Sequence, residues 1–127
     1  MIKFIFINDK LRGSDWGTNV SEKYNIVMDD TAIGYIQFLR GDNLTTKNSD
    51  TKILRELIKN NIWIDFITIY EEYRGNKLTY IIFDEFSNFV KKQGYTEIFL
   101  RQVRMADLYN KLKFESIGSM GVFKKTI

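Results

Sequence analysis

The sequence contains no cysteine and no histidine, and these two absences exclude several kinds of site. Without cysteine the chain forms no disulfide, has no thiolate metal site and has no cysteine nucleophile. Without histidine, the usual zinc sites and the histidine base of a serine hydrolase triad are excluded as well. Any general base must therefore be a carboxylate, a tyrosine, a lysine, the amino terminus or an ordered water. We expect no bound metal.

Long apolar runs and blocks of one charge are also absent. The first residues, MIKFIFIND, contain too short an apolar run for a signal peptide, and no stretch is long enough to span a membrane. The formal charge of +3 is spread through both halves of the chain, which argues against a dedicated nucleic-acid arm. We therefore expect a soluble, cytoplasmic protein that does not contact a membrane.

The sequence does contain enough apolar residues for a sizeable core. Its 127 residues are 44% hydrophobic and 15% aromatic, which suits one domain stabilised without metal or disulfides. No internal repeat or low-complexity linker divides the chain. The prediction is a single domain over residues 1–127.

Residues 63–94 carry the clearest local pattern, a strand followed by a basic turn and a helix. Residues 62–70 are rich in β-branched and aromatic side chains and include one charge, Asp65, which is typical of a central strand. From about residue 76, apolar side chains recur at helical spacing: Leu78, Ile82, Phe86, Phe89 and Val90. Gly94 follows where a helix end needs a positive φ. A helix N-terminus after a basic turn favours an anion, so phosphate binding is the first hypothesis.

The rest of the chain predicts six further strands and two further helices. Strands are expected at 2–7, 24–28, 31–39, 97–103, 114–117 and 122–127, with a loop over 8–21. Helices are expected near 50–58 and 105–112, from the spacing of their apolar residues. Gly34, inside the third strand, indicates a bulge or a close approach by another backbone. The strands at 62–70 and 97–103 should be a parallel pair joined by a crossover helix.

Two segments resemble the GCN5-related N-acetyltransferases. IDFITIYEEYRGNKL, residues 64–78, is similar to the family's strand, turn and helix, I-x-D-L-x-V-x-P-E-Y-R-G-K-G-I-G. MADLYNKLKFESIG, residues 105–118, is similar to its later segment A-x-x-L-Y-x-K-L-G-F-x-x-x-G. The resemblance implies an α/β (α+β) fold with a mixed, mostly antiparallel sheet, splayed parallel central strands and flanking helices, as in acyl-CoA N-acyltransferases.

The resemblance implies acetyl-CoA as co-substrate. The main chain of Ile67 and Ile69 would line the pantetheine arm, and an amide there would polarise the thioester carbonyl. The pyrophosphate would lie on the turn and the helix start, at Arg74, Gly75, Asn76, Lys77, Leu78 and Thr79. Lys77 and Thr79 stand where the family has two glycines. We expect backbone amides to serve at both positions, since an early helical residue needs no positive φ.

Tyr109 and Asp65 are the candidate catalytic residues. Tyr109 matches the family tyrosine that protonates the departing sulfur, and its alternative role is a packed aromatic on an apolar helix face. Asp65 is the candidate base, on the face of Ile67 and Ile69 if no bulge intervenes, and its alternative is a carboxylate at a solvated strand end.

The resemblance therefore implies an enzyme, an N-acetyltransferase that moves the acetyl group of acetyl-CoA to a primary amine of an unidentified acceptor by direct attack. The acceptor is a small molecule or a protein. One alternative is a non-catalytic, acetyltransferase-like interaction module with a degenerate CoA turn. Another is a nucleic-acid-binding module that uses the basic residues Arg101, Arg104, Lys111 and Lys113. A dimer could form if Phe123 and the last strand offer an edge.

Overall fold

The computed structural model describes residues 1–12, 20–43, 56–75, 77–101, 106–117 and 121–127. Its strands and longer helices have these bounds: β1 (Ile2–Arg12), β2 (Val20–Met28), β3 (Thr31–Arg40), β4 (Ile62–Ile69), α1 (Leu78–Lys91), β5 (Glu97–Arg101), α2 (Ala106–Lys111), β6 (Glu115–Ile117) and β7 (Val122–Thr126). The strands form one sheet in the order β1-β2-β3-β4-β5-β7-β6.

The sheet is mixed and mostly antiparallel, as the resemblance implies. β4 and β5 pair in parallel, whereas the other neighbouring strands in the described part of the chain pair antiparallel. The parallel pair lies at the centre, and α1 connects it, which confirms the predicted crossover arrangement. Within the described ranges, none of the helices is both long and apolar enough to cross a membrane.

Side chains alternate between the two faces along each strand, and apolar ones form a cluster on each face of the sheet. The larger cluster packs under α1 and includes Ile36 and Phe38 of β3 together with Ile62 and Ile64 of β4. The smaller cluster is on the other face: Leu39, Ile58, Trp63, Phe99 and Val122. The predicted helix near 50–58 is described only in its last turn at 56–58, which supplies Ile58.

Helix α1 packs on the sheet through one apolar stripe. Its buried members recur at helical spacing, as the sequence predicts: Leu78, Ile82, Phe86 and Val90. Phe89, also predicted, is partly buried against the same cluster. Gly94 has φ +98°, and the N–H of Tyr95 donates to the carbonyl oxygen of Val90 at 3.3 Å, which completes the C-terminal cap that the sequence indicates.

The first two strands are longer than the sequence predicts. β1 continues to Arg12 and β2 begins at Val20, so the predicted loop over 8–21 is wrong at both ends, while 13–19 lie outside the described residues. The polar segment 8–12 remains extended because β2 provides backbone partners whatever the side chains are. Register shifts after Phe6 and Asn8 accommodate the irregular part.

Gly34 confirms both features that its position in a strand predicts. The β2–β3 register changes between Ile26 and Val27, which leaves Ile33 as an extra residue beside Gly34. A Cβ atom at Gly34 would lie 2.1 Å from the carbonyl oxygen of Thr68 on β4. No side chain fits at this point between β3 and β4.

Arg40 ties the end of β3 to the C-terminus of α1. Its guanidinium pairs with Glu22 and donates to Gln93 Oε1 at 2.7 Å and to Tyr95 Oη at 3.3 Å. Tyr95 donates to Asp42 at 2.9 Å. Burial opposes the charge on Arg40, but its hydrogen bonds to Glu22 and Tyr95 outweigh burial and raise the pKa of the guanidinium. Burial also raises the pKa of Tyr95.

The last strand does not offer an edge for pairing. β7 lies between β5 and β6, and Phe123 is only 5% exposed. The prediction that Phe123 and the terminal strand present a dimer edge is therefore wrong, because the chain folds back to place β6 outside β7. The predicted terminal hairpin of β6 and β7 is confirmed.

Candidate active site

The two central parallel strands separate part-way along their length. β4 pairs with β5 at Ile62, Ile64 and the residue between them, and the ladder ends at the pair of Ile64 with Leu100. β4 continues to Ile69 and remains paired with β3. In the described part of the chain, no strand pairs with the other side of residues 65–69. The splay that the resemblance implies is therefore present.

A bulge at Asp65 marks the point of separation. Ile64 pairs with Phe38 of β3, but the next pair joins Phe66 to Gln37, so β4 contains one extra residue. Asp65 and Phe66 thus both oppose Gln37. Along β3, Gln37 alternates with residues that pack under α1, so its side chain is on the sheet face away from α1. Asp65 and Phe66, which oppose Gln37, are therefore on that face as well.

The bulge separates Asp65 from the two isoleucines with which the sequence groups it. Ile67 and Ile69 pack against the cluster that contains Ile64, on the α1 side. Asp65 is on the opposite side, where Ser21 Oγ donates to its carboxylate. The expectation that Asp65 shares a face with Ile67 and Ile69 is wrong, because the extra residue reverses the alternation. The alternative interpretation, a carboxylate at a solvated strand end, is wrong as well, since Asp65 is inside the strand and partly buried.

The backbone of Ile67 and Ile69 is directed into the gap. The N–H of Tyr70 donates to the carbonyl oxygen of Ile33 at 2.8 Å, which makes this a hydrogen-bonded pair of the β3–β4 ladder. Hydrogen-bonded pairs alternate in an antiparallel ladder, so Thr68 also bonds to β3. The N–H and C=O groups of Ile67 and Ile69 therefore point the other way, toward the space that β5 leaves open.

The turn after β4 is held by a short 3₁₀ helix and by Arg74. The 3₁₀ helix spans Glu71–Tyr73, and the Arg74 N–H donates to the Glu71 carbonyl oxygen at 3.2 Å. Arg74 Nε donates to the carbonyl oxygen of Ile69 at 2.6 Å. The guanidinium of Arg74 thus lies at the end of the gap, where its other N–H groups provide positive charge.

Lys77 has a conformation that the sequence does not predict. It immediately precedes α1 with φ 60° and ψ 3°, the left-handed region, and Gly75 has φ +88°. The expectation that position 77 needs no positive φ is wrong, because Lys77 is the N-cap of α1 and has left-handed and not helical backbone angles. The family glycine at this position matches that conformation. Asn76, also predicted for the site, lies outside the described residues.

The start of α1 directs backbone donors toward the same region. The first N–H groups of a helix have no acceptor within it, and here they belong to Leu78, Thr79 and Tyr80, of which Tyr80 donates to the Lys77 carbonyl oxygen at 3.1 Å. The Leu78 side chain is buried in the core, so only its backbone is available to a ligand. The helix dipole adds a favourable field for an anion.

Tyr109 is both a core residue and a wall of the gap. It is 7% exposed, and its ring packs edge-on against Phe83 and Phe114, with centroids 6.1 and 5.7 Å away. The two roles weighed for Tyr109 from the sequence are thus compatible, since a packed ring holds its hydroxyl in a fixed position.

A cleft of about 310 Å³ opens where these elements meet. It is lined by residues from β4, the turn, α1 and α2: Ile67, Thr68, Ile69, Arg74, Thr79, Phe83, Leu108 and Tyr109. Five of the sequence-predicted site residues are therefore together in one cleft. The sequence did not identify Thr68, Phe83 or Leu108. Phe83 could have been found as the residue one helical turn after Thr79.

A smaller cavity of about 160 Å³ shares Ile67 and Tyr109 with this cleft. It is lined by these two residues and by others from β4 and β5: Ile64, Asp65, Phe66, Leu100 and Arg101. The candidate acid and the candidate base therefore border the same cavity. Ile67 and Tyr109 form the shared wall of the cavity and the cleft.

The basic residues that suggest nucleic-acid binding are only partly described. Arg101, Lys111 and Lys113 are exposed, and Arg104 lies outside the described residues. In the ranges that the structure covers, no group of three or more acidic side chains is arranged to hold a metal ion.

No protein-family model and no curated protein matches the sequence, but solved structures match the fold. A GNAT family acetyltransferase from Elizabethkingia anophelis with acetyl-CoA bound aligns with a TM-score of 0.60 at 12% identity, over 99% of this chain and 98% of that chain. The PaiA N-acetyltransferase from Thermoplasma acidophilum in complex with coenzyme A aligns with a TM-score of 0.56 at 20% identity, over 83% of this chain. Tetrahymena GCN5 aligns with a TM-score of 0.58 at 11% identity, over 84% of this chain and 68% of its own.

The similarity is structural, since none of these three identities exceeds 20%. This chain spans 60% of the length of the Thermoplasma acidophilum protein. The expected sheet, its splayed central pair and the crossover helix are all present. The chain therefore has the fold of the GCN5-related N-acetyltransferases.

Proposed function

We propose that this protein transfers the acetyl group of acetyl-CoA to a primary amine. The single observation that carries the proposal is the cleft at the splay, which brings together Ile67, Ile69, Arg74, Thr79 and Tyr109. Solved proteins of the same fold contain coenzyme A or acetyl-CoA, which supports the same co-substrate here.

The pantetheine arm occupies the gap between β4 and β5. Its amides are extended and polar, and the backbone groups of Ile67 and Ile69 present donors and acceptors at the spacing of a strand. The arm thus takes the place of a missing strand neighbour. Phe83 and Leu108 form the apolar part of the wall against which its methylene groups pack.

The pyrophosphate binds at the turn and the first residues of α1. Unsatisfied helix N–H groups and the helix dipole favour an anion there. Arg74 contributes a guanidinium at the cleft, and Lys77 contributes a second positive charge on an exposed side chain. Lys77 has the left-handed conformation that a glycine adopts readily, which supports an approach of phosphate to the backbone at this position.

The reaction is a direct attack. The amine nitrogen adds to the thioester carbonyl carbon, and a backbone N–H of β4 stabilises the negative charge on the oxygen. The C–S bond then breaks, the sulfur receives the proton of the Tyr109 hydroxyl, and the amine gives a proton to Asp65, directly or through water. Proton return from Asp65 to Tyr109 through solvent restores both groups.

The cavity beside Asp65 is the proposed acceptor side. It shares Ile67 and Tyr109 with the cleft, so an amine that binds there lies next to the proposed position of the thioester. A carboxylate at this cavity also attracts the cationic form of an amine before it loses its proton.

Calorimetric titration and a thiol-release assay test the proposal in two steps. Acetyl-CoA should give a saturable heat and raise the melting temperature, because a ligand that binds only the folded state stabilises it. A panel of primary amines, including polyamines and lysine peptides, should then produce free CoA. Absence of heat and of a thermal shift at millimolar acetyl-CoA would exclude the co-substrate. Binding without thiol release from any amine would instead favour the non-catalytic module.

A further inference from the structure

Strand β1 forms an outer edge of the sheet, and its two parts differ. It is the terminal strand in the sheet order, and in the described part of the chain its outer side has no strand partner. Residues 7–12 contain both register shifts, the first at Ile7, and residues 8–12 are mostly polar; both features protect sheet edges from pairing. Residues 2–6, IKFIF, pair regularly with β2 and are apolar except for Lys3, and Ile5 and Phe6 are exposed by 49 and 52%. Apart from Lys3, this part of the edge has no feature that blocks pairing.

The register directs the backbone of Phe4 and Phe6 outward. Asp29 and Asp30, with φ 50° and 67°, form the two-residue turn that makes Met28 and Thr31 a hydrogen-bonded pair. The backbone N–H and C=O groups of successive residues point to opposite sides of β2, so those of the next residue, Val27, point toward its partner Lys3 on β1. On β1 the same alternation leaves the N–H and C=O groups of Phe4 and Phe6 pointing to the open side.

A groove of about 520 Å³ follows this edge on the face of α1. Its floor includes Ile2, Phe4 and Phe89, and Phe4 and Phe89 have ring centroids 5.2 Å apart. Two residues further along β1, Phe6 is exposed and contacts only one ring within the described core, that of Tyr24, at 5.6 Å. The chain therefore has an exposed aromatic side chain and an apolar groove side by side on the same edge.

The charges at the groove are complementary to their own two-fold image. Glu85 of α1 and Lys92, the C-cap residue of α1, line the groove on opposite sides of Asn88 and Phe89 in the sequence, and Lys3 of β1 is the other charged residue of the lining. A two-fold axis near Ile5, perpendicular to the sheet, makes two α1 helices antiparallel and brings Glu85 of one copy toward Lys92 of the other. A second copy of this chain thus fits the edge, the groove and the charges together.

We propose that the protein forms a symmetric homodimer through β1. The two β1 strands pair antiparallel about Ile5, so that Phe4 of each copy is opposite Phe6 of the other and exchanges backbone hydrogen bonds with it. Each Phe6 side chain covers the groove of the second copy, and Glu85 and Lys92 pair across the axis. The interface is isologous and extends the sheet to both copies. The proposal does not depend on acetyl transfer.

Sedimentation velocity tests the dimer and its centre. The wild-type protein should sediment with twice the mass of the chain at high concentration, and Phe6→Lys should weaken association by about a hundredfold or more, because it places two charges in the interface core. Ile81→Lys is the matched control, since Ile81 is 50% exposed on α1 and does not line the groove. A monomeric wild-type protein would overturn the proposal, as would a dimer that Ile81→Lys weakens and Phe6→Lys does not.

A charge exchange tests the α1 contact. Glu85→Lys and Lys92→Glu should each weaken the dimer by about tenfold, because each creates like charges at two symmetric places. The double variant should restore wild-type association. Within one chain the two residues are seven positions apart, about two helical turns, so they do not pair directly. Failure of the double variant to restore association would contradict the proposed orientation.

The absence of native cysteine permits a direct test of the register. Ile5 should face its own symmetry mate as a non-hydrogen-bonded pair, whose Cα atoms are close enough for a disulfide. Ile5→Cys should therefore form a covalent dimer on mild oxidation, whereas Val20→Cys, at a position 55% exposed on β2, should not. A wild-type dimer whose Ile5→Cys variant does not cross-link more than Val20→Cys would overturn the β1 register.

Discussion

The two halves of β4 have different surroundings although they belong to one strand. Residues 62–64, the closed half, pair with β3 on one side and with β5 on the other, and all three are buried. Residues 65–69, the open half, pair with β3 alone, and Phe66 is 46% exposed. The closed half is a sheet centre, whereas the open half leaves backbone groups and side chains available to a ligand.

The bulge at Asp65 causes the change from one half to the other. It adds one residue, directs Asp65 to the face away from α1, and returns Ile67 and Ile69 to the α1 side. One local irregularity therefore places the side chain of the candidate base on the face opposite the side chains of Ile67 and Ile69, whose backbone groups point into the gap. The donor and the acceptor can then approach from different sides.

The largest expected effect is a difference in stability between substitutions in the two halves of β4. Trp63→Ala, in the closed half, should lower the free energy of unfolding by about 3–5 kcal/mol, because it empties the centre of the smaller core cluster. Phe66→Ala, in the open half, should lower it by about 1 kcal/mol, since the ring is half exposed. Urea denaturation of both variants measures the difference. Equal losses would mean that the two halves are equally part of the core.

Proline substitutions test the direction of the open-half backbone. Thr68→Pro should destabilise the fold by about 3 kcal/mol or prevent folding, because the Thr68 N–H belongs to the β3–β4 ladder. Ile67→Pro removes an N–H that points into the gap, so we expect a smaller loss of stability together with weaker acetyl-CoA binding. Circular dichroism melts and calorimetry compare the two variants. A greater loss of stability in Ile67→Pro than in Thr68→Pro would contradict the proposed directions of the two N–H groups.

Loss of the hydroxyl of Tyr109, which lines both the cleft and the smaller cavity, should lower turnover without changing acetyl-CoA binding. Tyr109→Phe should lower kcat by about a hundredfold, the lower range for loss of a general acid, while the Kd for acetyl-CoA changes little. Tyr80→Phe is the control, because Tyr80 is a partly buried tyrosine of α1 that does not line the cleft. If binding and turnover fall together in Tyr109→Phe, the hydroxyl serves packing and not proton transfer.

The smallest expected effect concerns the turn that follows the open half. Lys77→Gly should raise the free energy of unfolding by about 1 kcal/mol, because Lys77 occupies the left-handed region at φ 60°. Thr79→Gly should destabilise by a similar amount, since Thr79 is an ordinary helical residue. Chemical denaturation of both variants measures these opposite signs. A loss of stability in Lys77→Gly would contradict the described turn.

The sequence predicts most of the fold because the signals are local. The apolar stripe of α1 and the positive φ of Gly94 at the C-terminal end of α1 follow from periodicity and backbone preference, and each is found where expected. The resemblance adds the splayed parallel pair, which no local pattern reveals. It also assembles Arg74, Thr79 and Tyr109, which are distant in the sequence, into one cleft.

The features that the sequence does not predict depend on long-range pairing. β1 extends through polar residues because β2 offers hydrogen bonds to them, and the bulge at Asp65 exists because β3 sets the register. Neither the extension of β1 nor the bulge has a residue pattern that would reveal it in the sequence. The position of Phe123 inside the sheet likewise depends on where β6 folds. Lys77 is a further case, since a lysine gives no signal of a positive φ.

Residue-resolved amide exchange by NMR tests the central claim most directly. In the free protein, the amides of Phe66 and Thr68 should be protected by β3, while those of Ile67 and Ile69 should exchange faster because they face the gap. Saturating acetyl-CoA should slow exchange at Ile67 and Ile69 and leave Phe66 and Thr68 almost unchanged. Protection that does not change at Ile67 and Ile69 under saturation would contradict the placement of the CoA arm along the open half of β4.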